Sequence, residues 1–197
     1  MKFIPLFMLF LLFGCSSQSM KSDYSEQVLS RIDGLTERPS WFKESESFKV
    51  VNGEVVSLGN TSIPADHRLE SAIRIAQSNA KAGICNSIEQ KLEFIFQNAE
   101  EGTTLDANQV RFIGSEACKL TSSSLKNDKI YWEKVLAFKT NGEKSVEYKV
   151  YATVTMSEIE LKKAILESLS KRSGKVALSK NFTQTVEKNW EKLTKGE

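Results

Sequence analysis

The sequence predicts an α+β domain, in which an antiparallel sheet made of two hairpins is packed on one face by a long helical hairpin and followed by C-terminal helices. Residues 48–51 and 54–58 are two runs rich in β-branched side chains. They flank Asn52 and Gly53, a pair typical of hairpin turns. Apolar residues from 64 to about 100 recur with the 3.6-residue period of a helix. Residues 145–156 alternate between polar and apolar side chains, as strands with one buried face do.

The N-terminus predicts export and a lipid anchor. Residues 1–14 contain Lys2 and an apolar run of eleven residues, the layout of a signal peptide. Leu12-Phe13-Gly14-Cys15 resembles the lipobox of bacterial lipoproteins, in which the cysteine is acylated, for example with palmitate, and becomes the mature N-terminus. Phe13 departs from the smaller residue usual there, and an ordinary secreted protein with an incidental cysteine is the alternative. The serine after Cys15 implies, by the same resemblance, sorting to the outer membrane.

Residues 15–38 are predicted to be a tether with a possible short helix. Residues 16–22 are polar and rich in serine, as flexible linkers are. Tyr24, Val28, Ile32 and Leu35 then recur at spacings that fit one face of an amphipathic helix. Because this segment has no basic face, we expect it to dock on the domain rather than on a membrane surface.

Residues 39–156 are predicted to form the α+β domain. After its first hairpin, a long helix is expected from Pro64 to about Glu100. Ala72, Ala76 and Ala80 lie one above another on this helix, so a neighbouring backbone could approach it closely. A weaker helix is expected around residues 110–120, and the two would form an antiparallel helical hairpin.

The second hairpin has a predicted register. A two-residue loop would split the apolar face of the strands, whereas a three-residue loop at 140–142, with Gly142 in a left-handed conformation, keeps it together. That loop pairs Leu136 with Val146 and Trp132 with Val150. On this face of the first strand, Lys134 is the exception, and the opposite face of the hairpin is expected to be solvated.

Residues 157–197 are predicted to be the C-terminal helices of the same domain. Ser157 followed by Glu160 is typical of a capping box at a helix start. Phe182, Val186 and Trp190 indicate a last helix.

The two cysteines after Cys15 are predicted to form a disulfide. Cys85 and Cys118 lie on the two helices of the predicted helical hairpin, at equal distances from its expected turn near residues 101 and 102. They would therefore be level with each other, in a compartment that permits disulfides. Two buried thiols are the alternative.

Composition argues against several functions. The formal net charge is only +2, from 27 basic and 25 acidic residues, so no nucleic-acid partner is expected. One histidine and three cysteines leave little from which to build a metal site or a catalytic pair. His67 is expected to be an exposed residue whose neighbour Asp66 points away from it. We therefore expect no enzyme activity, no catalytic residue, no metal and no cofactor.

The arrangement of several motifs resembles a known family, and the resemblance covers roughly residues 38–156. The lipobox at Cys15, Pro39-Ser40-Trp41, a strand reaching Gly59, the alanine stripe and the strand Tyr148-Lys149-Val150-Tyr151 are similar to the twenty-kilodalton membrane-associated lipoproteins of Gram-negative bacteria. Some relatives in that family are linked to flagellar assembly. The resemblance implies a non-enzymatic envelope protein, in the periplasm or at the cell surface, and supplies no catalytic residue.

The expected function is that of a membrane-anchored envelope lipoprotein, acting as an interaction or scaffold module for other envelope proteins. The alternative is a periplasmic carrier of a small apolar ligand. Such a ligand would lie between the sheet and the helix layer, in space left by the small residues at 72, 76, 80 and 83.

Overall fold

A five-stranded antiparallel sheet forms one layer of the protein in a computed structural model, which describes residues 26–44, 48–97, 107–139, 142–173 and 180–191. The spatial order of the strands is β1-β4-β5-β3-β2. The strands are β1 (Glu26–Arg31), β2 (Lys49–Val51), β3 (Glu54–Pro64), β4 (Lys126–Phe138) and β5 (Lys144–Ser157). This sheet, with a long helix packed on it and helices at the C-terminal end, confirms the α+β class.

Both predicted hairpins are present. Asn52 and Gly53 join β2 to β3 with φ angles of 53° and 77°, the left-handed pair that suits a two-residue turn. Between β4 and β5, Leu136 pairs with Val146 and Trp132 with Val150, which confirms the predicted register. Gly142 has a φ of 84°, and its N–H donates to the Lys139 carbonyl at 2.9 Å. Residues 140 and 141 of this loop lie outside the described residues.

The short helix predicted around Val28 and Ile32 is wrong, because Glu26–Arg31 is the edge strand β1. It pairs with β4, placing Glu26 opposite Ala137 and Arg31 opposite Glu133, with a register shift between Val28 and Ser30. The segment forms a strand because of a distant contact. A helix this short is only marginally stable in water, whereas pairing with β4 satisfies the backbone hydrogen-bonding groups along the edge of that strand.

Five α-helices are described: α1 (Ser40–Glu44), α2 (Leu69–Gln97), α3 (Ala107–Thr121), α4 (Glu158–Ser173) and α5 (Lys180–Lys188). A single 3₁₀ turn, Ile32–Gly34, directly follows β1. The long helix α2 starts later than predicted because β3 continues to Pro64. The N-cap role of Ser157 in the predicted capping box of α4 is confirmed, since the N–H of Ile159 donates to Ser157 Oγ at 3.3 Å. Within the described residues, no helix is long and apolar enough to cross a membrane.

The core lies between the sheet and the helices. Helix α2 packs over β3 and β5, and α3 packs against both α2 and α4. Fully buried side chains from four of these elements meet in one cluster, among them Ile84, Ile88, Ile113, Met156, Leu161 and Ile165. Ser157 ends β5 and caps α4, so this cluster lies toward the end of the sheet opposite the β4–β5 turn.

The alanine stripe of α2 packs directly on a backbone, as the sequence predicts. Ala72, Ala76 and Ala80 are fully buried against the sheet. A Cβ built on Gly59 of β3 would come within 2.2 Å of the Ala76 carbonyl oxygen and of the Ala80 nitrogen. The space that a carried ligand would need beside Ala76 and Ala80 is therefore filled by the strand.

Candidate functional site

The cysteines are the first of the sequence-predicted site residues. Cys85 on α2 and Cys118 on α3 face each other at disulfide-bonding distance, with their Cα atoms 5.3 Å apart. The equal spacing of the two cysteines from the helical turn therefore predicted their juxtaposition correctly. Cys15, the predicted point of lipid attachment, lies outside the described residues.

His67 lies in the turn between β3 and α2. Its Nδ1 is 3.0 Å from Asp66 Oδ1, so the expectation that this carboxylate points away from the ring is wrong. The two residues precede the helix rather than lie on it, because α2 begins at Leu69, and helical spacing does not apply to them. The side chains of His67 and Asp66 are 63% and 82% exposed, so this is a solvated pair.

Sequence reasoning missed a buried charge on the opposite face of the sheet from α2. The side chain of Glu133 on β4 is fully buried. Tyr131 Oη donates to Glu133 Oε2 at 3.0 Å, and Arg38 Nε donates to the same oxygen at 3.3 Å. A second Arg38 nitrogen, Nη2, bonds to Oε1, and Arg31 Nε lies 3.6 Å from Oε2. One carboxylate thus joins the sheet to residues 32–42, which follow β1 and which we call the strap.

The electrostatics of this cluster favour the charged forms of Glu133 and Arg38 and the neutral form of Tyr131. Burial by itself would raise the pKa of Glu133, but hydrogen bonds from Arg38 and Tyr131 and the charges of Arg38 and Arg31 outweigh it, so that the pKa is lowered. The hydrogen bond to Glu133 raises the pKa of Arg38 against an opposing effect of burial. Burial raises the pKa of Tyr131, and the hydrogen bond to Glu133 adds to that rise.

Aromatic packing holds the strap on the sheet. The centre of the Phe42 ring lies 4.4 Å from the centre of the Tyr151 ring, in an edge-on contact, and 6.0 Å from the centre of the Tyr131 ring. The guanidinium of Arg38 lies 5.1 Å from the centre of the Phe42 ring. The face of the second hairpin that was expected to be solvated is therefore covered here, because residues far away in the sequence fold over it.

The chemistry of this cluster is structural. A carboxylate that accepts hydrogen bonds on both oxygens and has a lowered pKa stays ionised near neutral pH, so it does not donate a proton there. Among the residues that the structure describes, no group of three histidine, cysteine, aspartate or glutamate side chains is placed to hold a metal ion. Glu133 thus joins two parts of the fold.

A second surface lies on the α2 side of the sheet, beyond the edge of that helix. We call it the open face, and it consists of residues of β4 and β5 that point to the same side, namely Trp132, Lys134, Leu136, Phe138, Lys144, Val146 and Tyr148. Phe138 and Val146 are each 37% exposed, and Trp132, Leu136 and Tyr148 are half-buried. Sequence alternation grouped the apolar members correctly but did not reveal that α2 would pack over β3 and β5.

The open face combines aromatic rings with ammonium groups. The rings of Trp132 and Tyr148 meet at right angles with their centres 5.9 Å apart. Lys134 Nζ lies 5.7 Å from the centre of the Tyr148 ring, and Lys144 Nζ lies 5.5 Å from that of Phe138. The surface therefore combines partly exposed apolar side chains with two ammonium groups, of which that of Lys144 lies at the end next to the β4–β5 turn.

Comparison with known proteins identified no relative, since no family model, no curated protein and no solved structure matches this chain.

Proposed function

We propose that this chain is an envelope lipoprotein, held on the outer membrane by acyl chains on Cys15, and that its domain is a non-enzymatic interaction module. The observation that carries the proposal is the lipobox-like Leu12-Phe13-Gly14-Cys15 placed just before the fold. The first strand begins at Glu26, only eleven residues after Cys15. Acyl chains at that position would hold the sheet close to the bilayer.

The way β1 joins the sheet supports an anchor at this point. Glu26, the first residue of the strand, forms an ion pair with Lys149 of β5, across the intervening strand β4. Farther along, Arg31 reaches Glu133. An anchored N-terminus would therefore connect to a strand that is fixed to its neighbours by charges as well as by backbone pairing.

The domain also offers a surface suited to association. A partly exposed set of aromatic and aliphatic side chains with charged neighbours is characteristic of interaction sites, and the open face has this composition. The near-balance of charges over the whole chain favours protein and membrane neighbours over nucleic acid.

Metabolic labelling with an alkyne-bearing palmitate in the native host tests the proposal. We expect the wild-type protein to carry the label and to sediment with outer membranes in a density gradient. Cys15→Ser should lose both the label and the membrane association. The matched control is the double variant Cys85→Ser/Cys118→Ser, which changes the other two cysteines and should remain labelled. An unlabelled wild-type protein in the soluble periplasm would refute the anchor.

A further inference from the structure

We propose that the open face is a docking surface for anionic phospholipid, by which the domain lies on the same leaflet that holds Cys15. This inference rests on the lipid anchor of the proposed function. It adds a second, non-covalent contact between the protein and the membrane, and it assigns that contact to named side chains of β4 and β5.

The position of the anchor favours this end of the sheet. Glu26 pairs with Ala137, so β1 begins beside Phe138 and the β4–β5 turn. Glu26 is eleven positions after Cys15, and even a fully extended chain of that length spans only about 37 Å. An acylated Cys15 would therefore keep the open face near the bilayer, at a high effective concentration relative to the lipid headgroups.

The side chains of the open face suit the membrane interface. Trp132 and Tyr148 are amphipathic rings, the kind enriched at the level of lipid headgroups. Phe138 and Val146, each 37% exposed, provide apolar atoms nearest the turn. Insertion of such groups among headgroups removes apolar surface from water without requiring a partner of complementary shape.

The charges favour an anionic leaflet. Lys134 and Lys144 lie over the Tyr148 and Phe138 rings, with the ammonium groups beside apolar surface. Next to them, the side chain of Lys139 is 53% exposed, and its Nζ lies 3.9 Å from Glu143 Oε2. Because these two charges are opposite, the pair adds little net charge to the surface. Each unpaired lysine near an anionic membrane strengthens binding about fivefold.

The opposite end of the molecule supplies matched controls. Helix α4 follows β5 at the end of the sheet away from the turn. In this helix, Ile159 is 79% exposed and Lys163 is also exposed. Substitutions there remove an exposed apolar side chain or a lysine charge without altering the open face.

The test uses a chain that begins at Ser16, which lacks the acylated cysteine but keeps every contact described above. Its fold is first checked by circular dichroism and thermal melting. Co-sedimentation then compares vesicles of phosphatidylglycerol with vesicles of phosphatidylcholine. We expect binding to the anionic vesicles that weakens with added salt. Lys134→Gln/Lys144→Gln should weaken it about 25-fold, as two independent charges would. Phe138→Ser/Val146→Ser should also weaken it, while Lys163→Gln and Ile159→Ser should leave it unchanged.

Three outcomes would overturn the proposal. Folded protein that binds neither kind of vesicle would leave the open face for a protein partner. If the open-face variants and the α4 variants bound phosphatidylglycerol vesicles equally well, the contact with the membrane would lie outside the open face. A stable dimer in sedimentation velocity, dissociated by Phe138→Ser/Val146→Ser, would assign the face to a second copy of the chain. None of these results depends on acylation of Cys15, which the labelling experiment tests separately.

Discussion

Glu133 is a carboxylate taken out of water in the middle of a β-strand. An isolated charge in that position would be strongly destabilising. Hydrogen bonds from Arg38 and Tyr131 and the nearby positive charge of Arg31 compensate for the lost hydration. The side chain of Arg38 is 38% exposed, whereas that of Glu133 is fully buried. The guanidinium thus retains water on its outer side while its inner side neutralises the buried charge.

Removing Arg38 should be costly because it leaves the Glu133 charge with only Arg31 and Tyr131. We expect Arg38→Gln to lower the free energy of unfolding by about 2–4 kcal/mol, somewhat below the usual cost of breaking a fully buried pair, since this one is partly hydrated. Urea denaturation at pH 7 measures it. Lys119→Gln, which breaks the exposed i,i+3 pair with Glu116, is the control and should change stability by less than about 0.5 kcal/mol. Similar values for the two variants would contradict a structural role for the buried pair.

The same cluster should make stability depend on pH in a defined direction. The pKa of Glu133 is lower in the folded protein than in the unfolded chain, so its contribution is present above the unfolded value of about 4.3. It is lost as the pH falls from there through the lower, folded pKa. Between pH 6 and pH 3, the wild-type protein should therefore lose more stability than Glu133→Gln. Parallel pH profiles for the two proteins would refute this.

At the scale of elements, the approach of α2 to β3 depends on Gly59. A methyl group at this position would overlap backbone atoms of Ala76 and Ala80, which cannot rotate away. The strand and the helix would have to separate, and the fully buried alanines beside them would lose contact. The alanine stripe thus stabilises the fold only together with the glycine that faces it.

We expect Gly59→Ala to lower the free energy of unfolding by about 3 kcal/mol, at the upper end of overpacking effects. Gly114→Ala on α3 is the control. A Cβ at Gly114 would lie 2.4 Å from Glu89 Cγ, which a rotamer change can move, and 3.3 Å from Glu89 Cα and Cβ, which need shift by only a few tenths of an ångström. Alanine is also favoured over glycine in a helix by about 1 kcal/mol, so we expect a smaller loss for this variant than for Gly59→Ala. Thermal melts of the two variants give the comparison. A Gly59→Ala protein as stable as the wild type would show that the two layers can separate at little cost.

Elements specified by local chemistry could be predicted from the sequence, and those specified by distant partners could not. The register of β4 and β5 followed from alternation and from Gly142, both of which lie within the hairpin itself. Strand β1 was mistaken for a helix because its pairing partner lies about a hundred residues away. The partner of Glu133 is equally remote, since Arg38 is 95 positions earlier, so an acidic residue that is buried appeared to face solvent.

At the scale of the whole molecule, the two ends of the sheet have different surroundings. The main hydrophobic cluster joins α2, α3 and α4 to the end of the sheet near Met156. At the other end, a smaller cluster around Val150 continues into the partly exposed Trp132 and Tyr148. The chain enters the sheet at this second end, through Glu26. Packing is therefore most complete away from the proposed anchor, and apolar surface remains accessible near it.

A disulfide between Cys85 and Cys118, whose Cα atoms lie 5.3 Å apart, should stabilise the molecule mainly by restricting the unfolded chain. The sequence separation is 33, for which the chain-entropy treatment gives about 3–4 kcal/mol. In a chain that begins at Ser16, we expect Cys85→Ala/Cys118→Ala to lose about that amount of unfolding free energy. The denaturant dependence should also steepen, because an uncrosslinked unfolded state exposes more surface. Reductant should shift the wild-type transition toward that of the variant and leave the variant itself unchanged. The prediction fails if the denatured, unreduced chain from Ser16 shows two titratable thiols and if its unfolding transition does not respond to reductant. Those results would show that Cys85 and Cys118 are two buried thiols.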